Sequence, residues 1–389
     1  MEHTELTFMG YWRPDGRAGT RNHVLLLPLA PAVSTTAMHV EQIVPGTVAV
    51  ELHQDIGPEL PGWTLAVRTL RGWIDHPNVY GAVLLALSAQ DPVVEAIVEG
   101  LPPSARWQVI SFDEAGGRRA AETAAVAIAR EWAHEAQNMV REPIPVRHLL
   151  LATECGGSDA CSGLSANPSL GYASDLLIQQ GGTSILAETT ELIGAEGILA
   201  ARARTPAVAE AVWHTVAHAE HAAMRMGVDF RGGQPAPGNM AGGITTIEEK
   251  SLGCVHKGGT SPVVDVVDYA ERPTRAGLVV MDTPGHDVMQ FVGMAAAGAQ
   301  VIVFTTGRGT PTGAAIAPVI KVSTRTDLKH QLPDLIDFDA GPVIDGYLTV
   351  EQVGEALWRK IRLVASGELV AAERWGHREF GVFPGWEAN

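Results

Sequence analysis

Several turns in this chain carry ionisable or hydroxyl side chains directly after an apolar run. The run 149–153 leads into Glu154-Cys155-Gly156-Gly157-Ser158-Asp159, and 184–187 into Glu188-Thr189-Thr190-Glu191. The run 278–281 leads into Asp282-Thr283-Pro284-Gly285, and 301–304 into Thr305-Thr306-Gly307-Arg308-Gly309-Thr310. Glycine lets backbone N–H groups approach an anion closely, and the side chains add acids, hydroxyls, a thiol and cations. The segment 238–262 is richer still, with Glu248, Glu249, Lys250, His256 and Lys257 set among glycines and threonines. A lysine near a carboxylate substrate neutralises developing charge or, with a lowered pKa, acts as a base, so Lys250 and Lys257 are candidates for either role. Near the N-terminus, Arg17 and Arg21 precede the first apolar run, and guanidinium forks suit carboxylates. Two weaker signals are set aside. His214, His218 and His221 share a helix face without an HExxH pattern, and Cys155 with Cys161 matches no iron–sulfur spacing.

These turns share a site only if the preceding runs are parallel strands of one sheet, because ligands of open α/β sheets lie beyond the strand carboxyl ends. The pattern supports that. Short, continuous apolar runs at 23–28, 48–52, 82–87 and 107–111 read as strands covered on both faces, with helical spacing at 64–73 and 92–99 and an alanine-rich helix at 120–140. Further strands are expected at 149–153, 183–187, 277–281 and 301–304. Helices are expected from Thr205-Pro206 to about Gly227 and over 350–365. The expected fold class is α/β: two open, mostly parallel sheets flanked by helices, with the active site in loops after strand C-terminal ends. Pro143 and Pro145 interrupt the helical pattern, so the expected division is 1–142, a Rossmann-like unit, and 143–389, a glycine-rich catalytic unit. The tail, with Trp375, Phe380, Phe383 and Trp386, is expected to dock.

Composition narrows the class of partner. Acidic residues outnumber Lys and Arg by 44 to 28, a net charge of −16 that disfavours nucleic acid. No apolar run approaches the roughly 18 residues that span a bilayer, and the N-terminus has no signal-like pattern. Three cysteines without a CxxC pair make no disulfide framework, so a reducing, cytoplasmic setting is expected.

The segments Gly10–His23, Thr153–Gly171, Ala187–Glu196, Pro237–Gly253, Met281–Gly285 and Phe304–Gly313 together resemble the altronate/galactarate dehydratase family across nearly the whole chain. The resemblance implies a lyase that removes water from a sugar acid or related hydroxy acid to give a 2-keto-3-deoxy acid, usually with a divalent metal, iron(II) or manganese(II). A related branch cleaves a carbon–sulfur bond in sulfolactate. Positions where members typically carry cysteines are here Ala32, Ile56 and Ala89, which leaves Cys155 of that set. The resemblance also implies that a separate small subunit supplies the N-terminal domain that many members carry, and a homo-oligomer is expected.

On this reading Lys250 and Lys257 serve as base or carboxylate clamp, with Glu188, Glu191 and Asp159 as the other catalytic candidates. Cys155 and His53 are the metal candidates. Arg17, Arg21, Asn22, Ser158, Asn167, Asp282, Thr305, Thr306 and Arg308 are expected to bind substrate. Two other readings stay open: a metal-free isomerase or hydrolase on the same scaffold, and a non-catalytic subunit or sensor that binds a sugar acid.

Overall fold

The computed structural model describes residues 5–386. In chain order the strands are β1 (Thr7–Trp12), β2 (Ala18–Gly19), β3 (His23–Pro28), β4 (Thr47–Ala49), β5 (Val79–Ala86), β6 (Trp107–Ser111), β7 (Glu142–Pro145), β8 (Leu150–Cys155), β9 (Thr183–Leu186), β10 (Val263–Val267), β11 (Gly277–Met281), β12 (Val301–Thr306), β13 (Val319–Ser323) and β14 (Phe338–Asp339). Strands β4-β3-β5-β6 form one parallel sheet, and β10-β11-β9-β8-β12-β13-β14 form a second, also wholly parallel. Helices pack on both, which is the expected α/β architecture. Every residue of β11 and β12 is buried, as strands covered on two faces must be. No described helix is long and apolar enough to cross a membrane.

The order of the second sheet sets where its loops gather. From β8 the chain steps to β9 on one side, later fills β11 and β10 beyond it, then returns to place β12 on the other side of β8. The direction of winding therefore reverses between β8 and β12. Their ends are bonded side by side: Cys155 pairs with Thr305, and the N–H of Gly156 donates to the Thr305 carbonyl at 3.1 Å. A crevice opens at such a reversal because the two flanking loops diverge.

Several elements differ from expectation. The proline pair at 143 and 145 does not break the chain into coil but forms β7, antiparallel to β1 at the edge of a three-stranded sheet, where missing N–H donors cost nothing in pairing. Strands β1, β2, β10, β13 and β14 were not expected. In β13 the charge of Lys321 disguises an otherwise apolar run, yet that side chain is wholly buried. The run at 48–52 is shorter as a strand, and β8 and β12 extend two residues further toward the site than their apolar cores suggest. In the tail, Phe380 and Phe383 are buried and Phe380 meets Trp73 edge-on. Trp375, by contrast, is exposed.

The two sheets are joined by a buried polar seam. Asn78 Nδ2 donates to the carbonyls of Gln300 (3.1 Å) and Ile316 (2.8 Å), and Thr20 Oγ1 donates to the Gln300 carbonyl at 2.9 Å. His76 lies in the same seam: its Nδ1 accepts the N–H of Asn78 at 2.9 Å and its Nε2 faces the Ala299 carbonyl at 3.0 Å. One acceptor and one donor specify a neutral imidazole. Burial holds its pKa well below the usual histidine value. Because the folded-state pKa is depressed, the stability this site contributes is present above the unfolded value of about 6.5 and is lost as pH falls below it. Urea unfolding should therefore show a decline in stability between pH 7 and 5 that is smaller in His76→Gln. An identical slope in the variant would exclude His76 as a source.

Candidate active site

At the reversal between β8 and β12, four potential ligand groups converge. Cys155 ends β8. Glu188 and Glu191 lie in the turn after β9. Cys254 belongs to the helix Ile247–Val255, which Thr246 caps by accepting the N–H of Glu249 at 3.1 Å. One atom from each of these four residues lies within 4.8 Å of the others. Spacing explains part of this, since Lys250 and Cys254 stand four apart on one helix face. Lys257 follows in the turn His256–Gly258.

Lys257 is fully buried and its ammonium contacts the Glu188 carboxylate and, at 3.0 Å, Cys155 Sγ. Lys250 Nζ pairs with Glu191 at 2.8 Å. The Cys155 N–H donates to Glu188 Oε1 at 3.1 Å, and the Cys254 thiol lies 3.6 Å from Glu188 Oε2. A hydrogen bond from Cys254 and the Lys257 charge outweigh burial and hold the Cys155 thiol well below its ordinary pKa, whereas donating to Cys155 and being buried push Cys254 up. Of the two thiols, Cys155 is thus the one whose charged form the surroundings favour. Burial raises Glu191 to about 7 against the opposing pull of Lys250. For Lys250 itself burial is outweighed by Glu191, which keeps its pKa above the usual lysine value.

Glu188 is one of two non-glycine residues with positive φ among the described residues, at φ 70° and ψ 55°. That conformation costs on the order of 1–3 kcal/mol and persists only where the surroundings hold it. Here the Glu188 N–H donates to Thr283 Oγ1 at 2.7 Å, and the Thr283 N–H donates to Thr189 Oγ1 at 2.9 Å. On the far side of β8, Glu154 is wholly buried beside Asp287, accepts from Gln290 Nε2 at 3.2 Å and has its second oxygen unpartnered. Burial first, then the Asp287 charge, raise Glu154 well above the carboxylate range.

A cavity of about 360 Å³ adjoins this group, lined by Ser158, Asp159, Ser162, Asn167, Lys250 and His256 among others. Asp159 does not offer a free carboxylate to it. Its oxygens accept from Ser162 Oγ (3.1 Å), the Cys161 N–H (3.1 Å) and Thr324 Oγ1 (3.0 Å). A Cβ on Gly307 would come within 2.3 Å of the Asp159 carboxyl carbon, so glycine permits this loop to close on it. Thr305 Oγ1 donates to Asn167 Oδ1 at 2.5 Å while Asn167 Nδ2 donates to the Gly253 carbonyl, which ties β12 to the helix carrying Lys250. Thr306 Oγ1 accepts from the Gly309 N–H at 2.9 Å and shapes the turn at whose surface Arg308 is exposed. Asp282 has both oxygens engaged, by Thr189 Oγ1 (2.8 Å) and Trp386 Nε1 (2.9 Å).

The structure thus brings together Cys155, Glu188, Glu191, Lys250 and Lys257, and gathers Ser158, Asp159 and Asn167 at the adjoining cavity. The N-terminal candidates stand elsewhere. All five N–H groups of Arg21 are taken up, by both oxygens of Glu373 and the carbonyls of Thr20, Val364 and Glu368. Arg17 bonds Asp15 and Asp75, and Asn22 bonds Arg13 and the Ala136 carbonyl. These bonds hold the chain together, and those of Arg21 leave it no donor for a substrate. His53 is not in the ligand group: its side chain is 68% exposed and its ionic neighbour is Glu51 at 3.9 Å. Cys254, Glu154 and Asp287 were missed. For Cys254 the signal was its place between Lys250 and Lys257. For the buried carboxyl pair no local signal exists, because 133 positions separate its members.

The donor chemistry fits a divalent cation, since two sulfurs and two carboxylates within reach of one another suit ions of intermediate softness, and an ion there would share charge compensation with Lys257. Fold and site together define an α/β protein with a buried thiol–carboxylate–lysine group at the switch point of a parallel sheet. Residues 146–387 match the family described as D-galactarate/Altronate dehydratase, C-terminal, and residues 10–137 match D-galactarate dehydratase/Altronate hydrolase, second domain. The chain belongs to the galactarate/altronate dehydratase family. It is 35% identical to the altronate dehydratase of Bacillus subtilis (strain 168), over 97% of this chain and 77% of that protein. It is 33% identical to the galactarate dehydratase (L-threo-forming) of Escherichia coli (strain K12), over 97% and 76%. It is 34% identical to the (2R)-sulfolactate sulfo-lyase subunit beta of Chromohalobacter salexigens, over 98% of each chain.

Removing one partner of a buried ion pair leaves the other charge uncompensated. Lys257→Met should accordingly lower unfolding free energy by about 3–5 kcal/mol. Adding Glu188→Gln should restore part of that loss in a double-mutant cycle by chemical denaturation, and additivity would show that the two charges do not interact.

Proposed function

We propose that this chain is a hydro-lyase that removes water from a sugar acid or related hydroxy carboxylate and yields a 2-keto-3-deoxy acid. The observation that carries this reading is the position of Lys250, which lines the 360 Å³ cavity and pairs at 2.8 Å with Glu191 of the buried group. Membership of the dehydratase family supports the substrate class. The family boundaries at 137 and 146 support a division into two units, 1–142 and 143–389.

Dehydration begins with loss of the proton on the carbon next to the carboxylate, which moves an electron pair toward the carboxylate oxygens. The Lys250 ammonium holds that carboxylate and offsets the developing charge. Glu191, with its pKa near neutrality, takes the proton and returns it to the departing hydroxyl on the next carbon, which leaves as water. The resulting enol tautomerises to the keto acid, so protons balance without an outside donor. Ser158 and Asn167 line the cavity where the remaining hydroxyls lie. A divalent cation held by Cys155, Cys254 and Glu188, iron(II) or manganese(II) by family resemblance, would supply Lewis-acid polarisation of the same substrate oxygens.

A second reading, release of sulfite from a sulfolactate-like substrate, is supported by the match to the sulfo-lyase subunit over 98% of both chains. The name of that relative, a beta subunit, also supports a further subunit as partner.

Purified protein supplied with iron(II) or manganese(II) should form 2-keto acid from at least one member of a panel of aldonic and aldaric acids, and chelation should abolish it. Sulfite release from sulfolactate with no keto-acid formation from the panel would establish the second reading instead. Absence of both products, with metal and any co-purifying small chain present, overturns the lyase assignment. With the active substrate, Lys250→Gln should raise KM at least about tenfold and Glu191→Gln should lower kcat by about 10²–10⁴. Wild-type constants in both variants would remove these residues from the mechanism.

A further inference from the structure

The strained Glu188 turn is held by a chain of hydrogen bonds that ends in the C-terminal tail. Thr283 accepts the Glu188 N–H (2.7 Å) and donates its own N–H to Thr189 Oγ1 (2.9 Å). That hydroxyl can accept from Thr283 because its proton points to Asp282 Oδ1, at 2.8 Å. The other oxygen of Asp282 accepts from Trp386 Nε1 at 2.9 Å. The tail is itself anchored. Trp386 meets Phe383 edge-on at 5.2 Å, and Phe383 meets Tyr269 at 5.2 Å. Gln54 Nε2 donates to the Val382 carbonyl at 3.3 Å. Gly62 lies so close to Pro384 that a Cβ there would come within 2.4 Å of its carbonyl oxygen. The last described residues thus connect the 54–65 segment of the first half to the acid turn of the second.

We propose that Trp386 and Asp282 are positioning residues for Glu188. The indole N–H fixes the Asp282 carboxylate, Asp282 fixes the direction of the Thr189 hydroxyl, and that hydroxyl closes the loop pairing that keeps Glu188 in its left-handed conformation against Cys155 and Lys257. The assignment rests on the proposed function only for its effect on turnover; the geometric claim stands independently of the reaction.

The test uses Trp386→Phe, which keeps an aromatic ring but removes the donor, Asp282→Asn, which weakens the acceptor, and Trp375→Phe as a control that removes an indole N–H elsewhere in the tail, where it donates to the Asp334 carbonyl at 3.0 Å. The primary readout is the rate of iodoacetamide alkylation of Cys155 in EDTA-treated full-length protein, followed by mass spectrometry. Trp386→Phe and Asp282→Asn should alkylate Cys155 at least about fivefold faster than wild type, with melting temperatures close to wild type, because the Glu188 carboxylate no longer packs against the buried Cys155 sulfur. Trp375→Phe should stay within about twofold. If the protein turns over a sugar acid, the first two variants should lower kcat at least about tenfold with KM nearly unchanged. Rates within twofold of wild type in both hydrogen-bond variants, or equal acceleration in Trp375→Phe, would overturn the proposal. Faster alkylation in a protein without lyase activity would uphold the positioning role and reject the reaction.

Discussion

The ammonium of Lys257 lies wholly out of solvent against the Glu188 carboxylate and the Cys155 sulfur, and the other features of the site follow from the need to compensate those charges. Two anions from separate strand ends could not be buried side by side without a cation, because the desolvation cost of each far exceeds what hydrogen bonds alone return. Lys257 favours the charged form of Cys155, whereas burial and the bond toward Cys155 disfavour that of Cys254 a few ångströms away. The same charge balance leaves Glu191 near neutrality and paired to Lys250, the residue that faces the cavity. Charge is thus graded from a closed interior to an accessible edge, an arrangement suited to moving a proton at one end and holding an anion at the other.

Backbone geometry serves the same end. Glu188 adopts a conformation normally left to glycine, and it does so because its carboxylate must reach Cys155 and Lys257 from a turn that also begins a short helical segment. Thr189 and Thr283 around it are engaged with one another and with Asp282, which the sequence presents as a substrate-binding candidate. Asp159 has a comparable part on the other side of the crevice, gathering the loops at 160, 242, 307 and 324 around a single carboxylate. Much of the polar content of these loops builds the cavity rather than facing its occupant.

The arginines near the N-terminus illustrate a different constraint. A chain with two sheets must bury polar backbone where the halves meet, and Arg13, Arg17 and Arg21 satisfy carbonyls and carboxylates there. Arginine with five fixed donors suits that duty as well as it suits a substrate carboxylate, so residue type alone does not distinguish the two.

The sequence by itself determined the α/β class, most strand positions and the turns that carry chemistry, because continuous apolar runs and glycine-rich turns are local signals. It also determined kinship, through motifs spread along nearly the whole chain. It did not reveal the edge strand at Pro143–Pro145 or β13 with its buried Lys321, where local residue type runs against the tertiary setting. Nor did it distinguish Lys257, wholly buried between anions, from Lys250 at the cavity wall. Which carboxylates meet which thiols, and which arginines are already engaged, depends on strand order and on contacts across more than a hundred residues. Only the folded chain decides these, because a side chain's charge state and reach are set by what is packed against it.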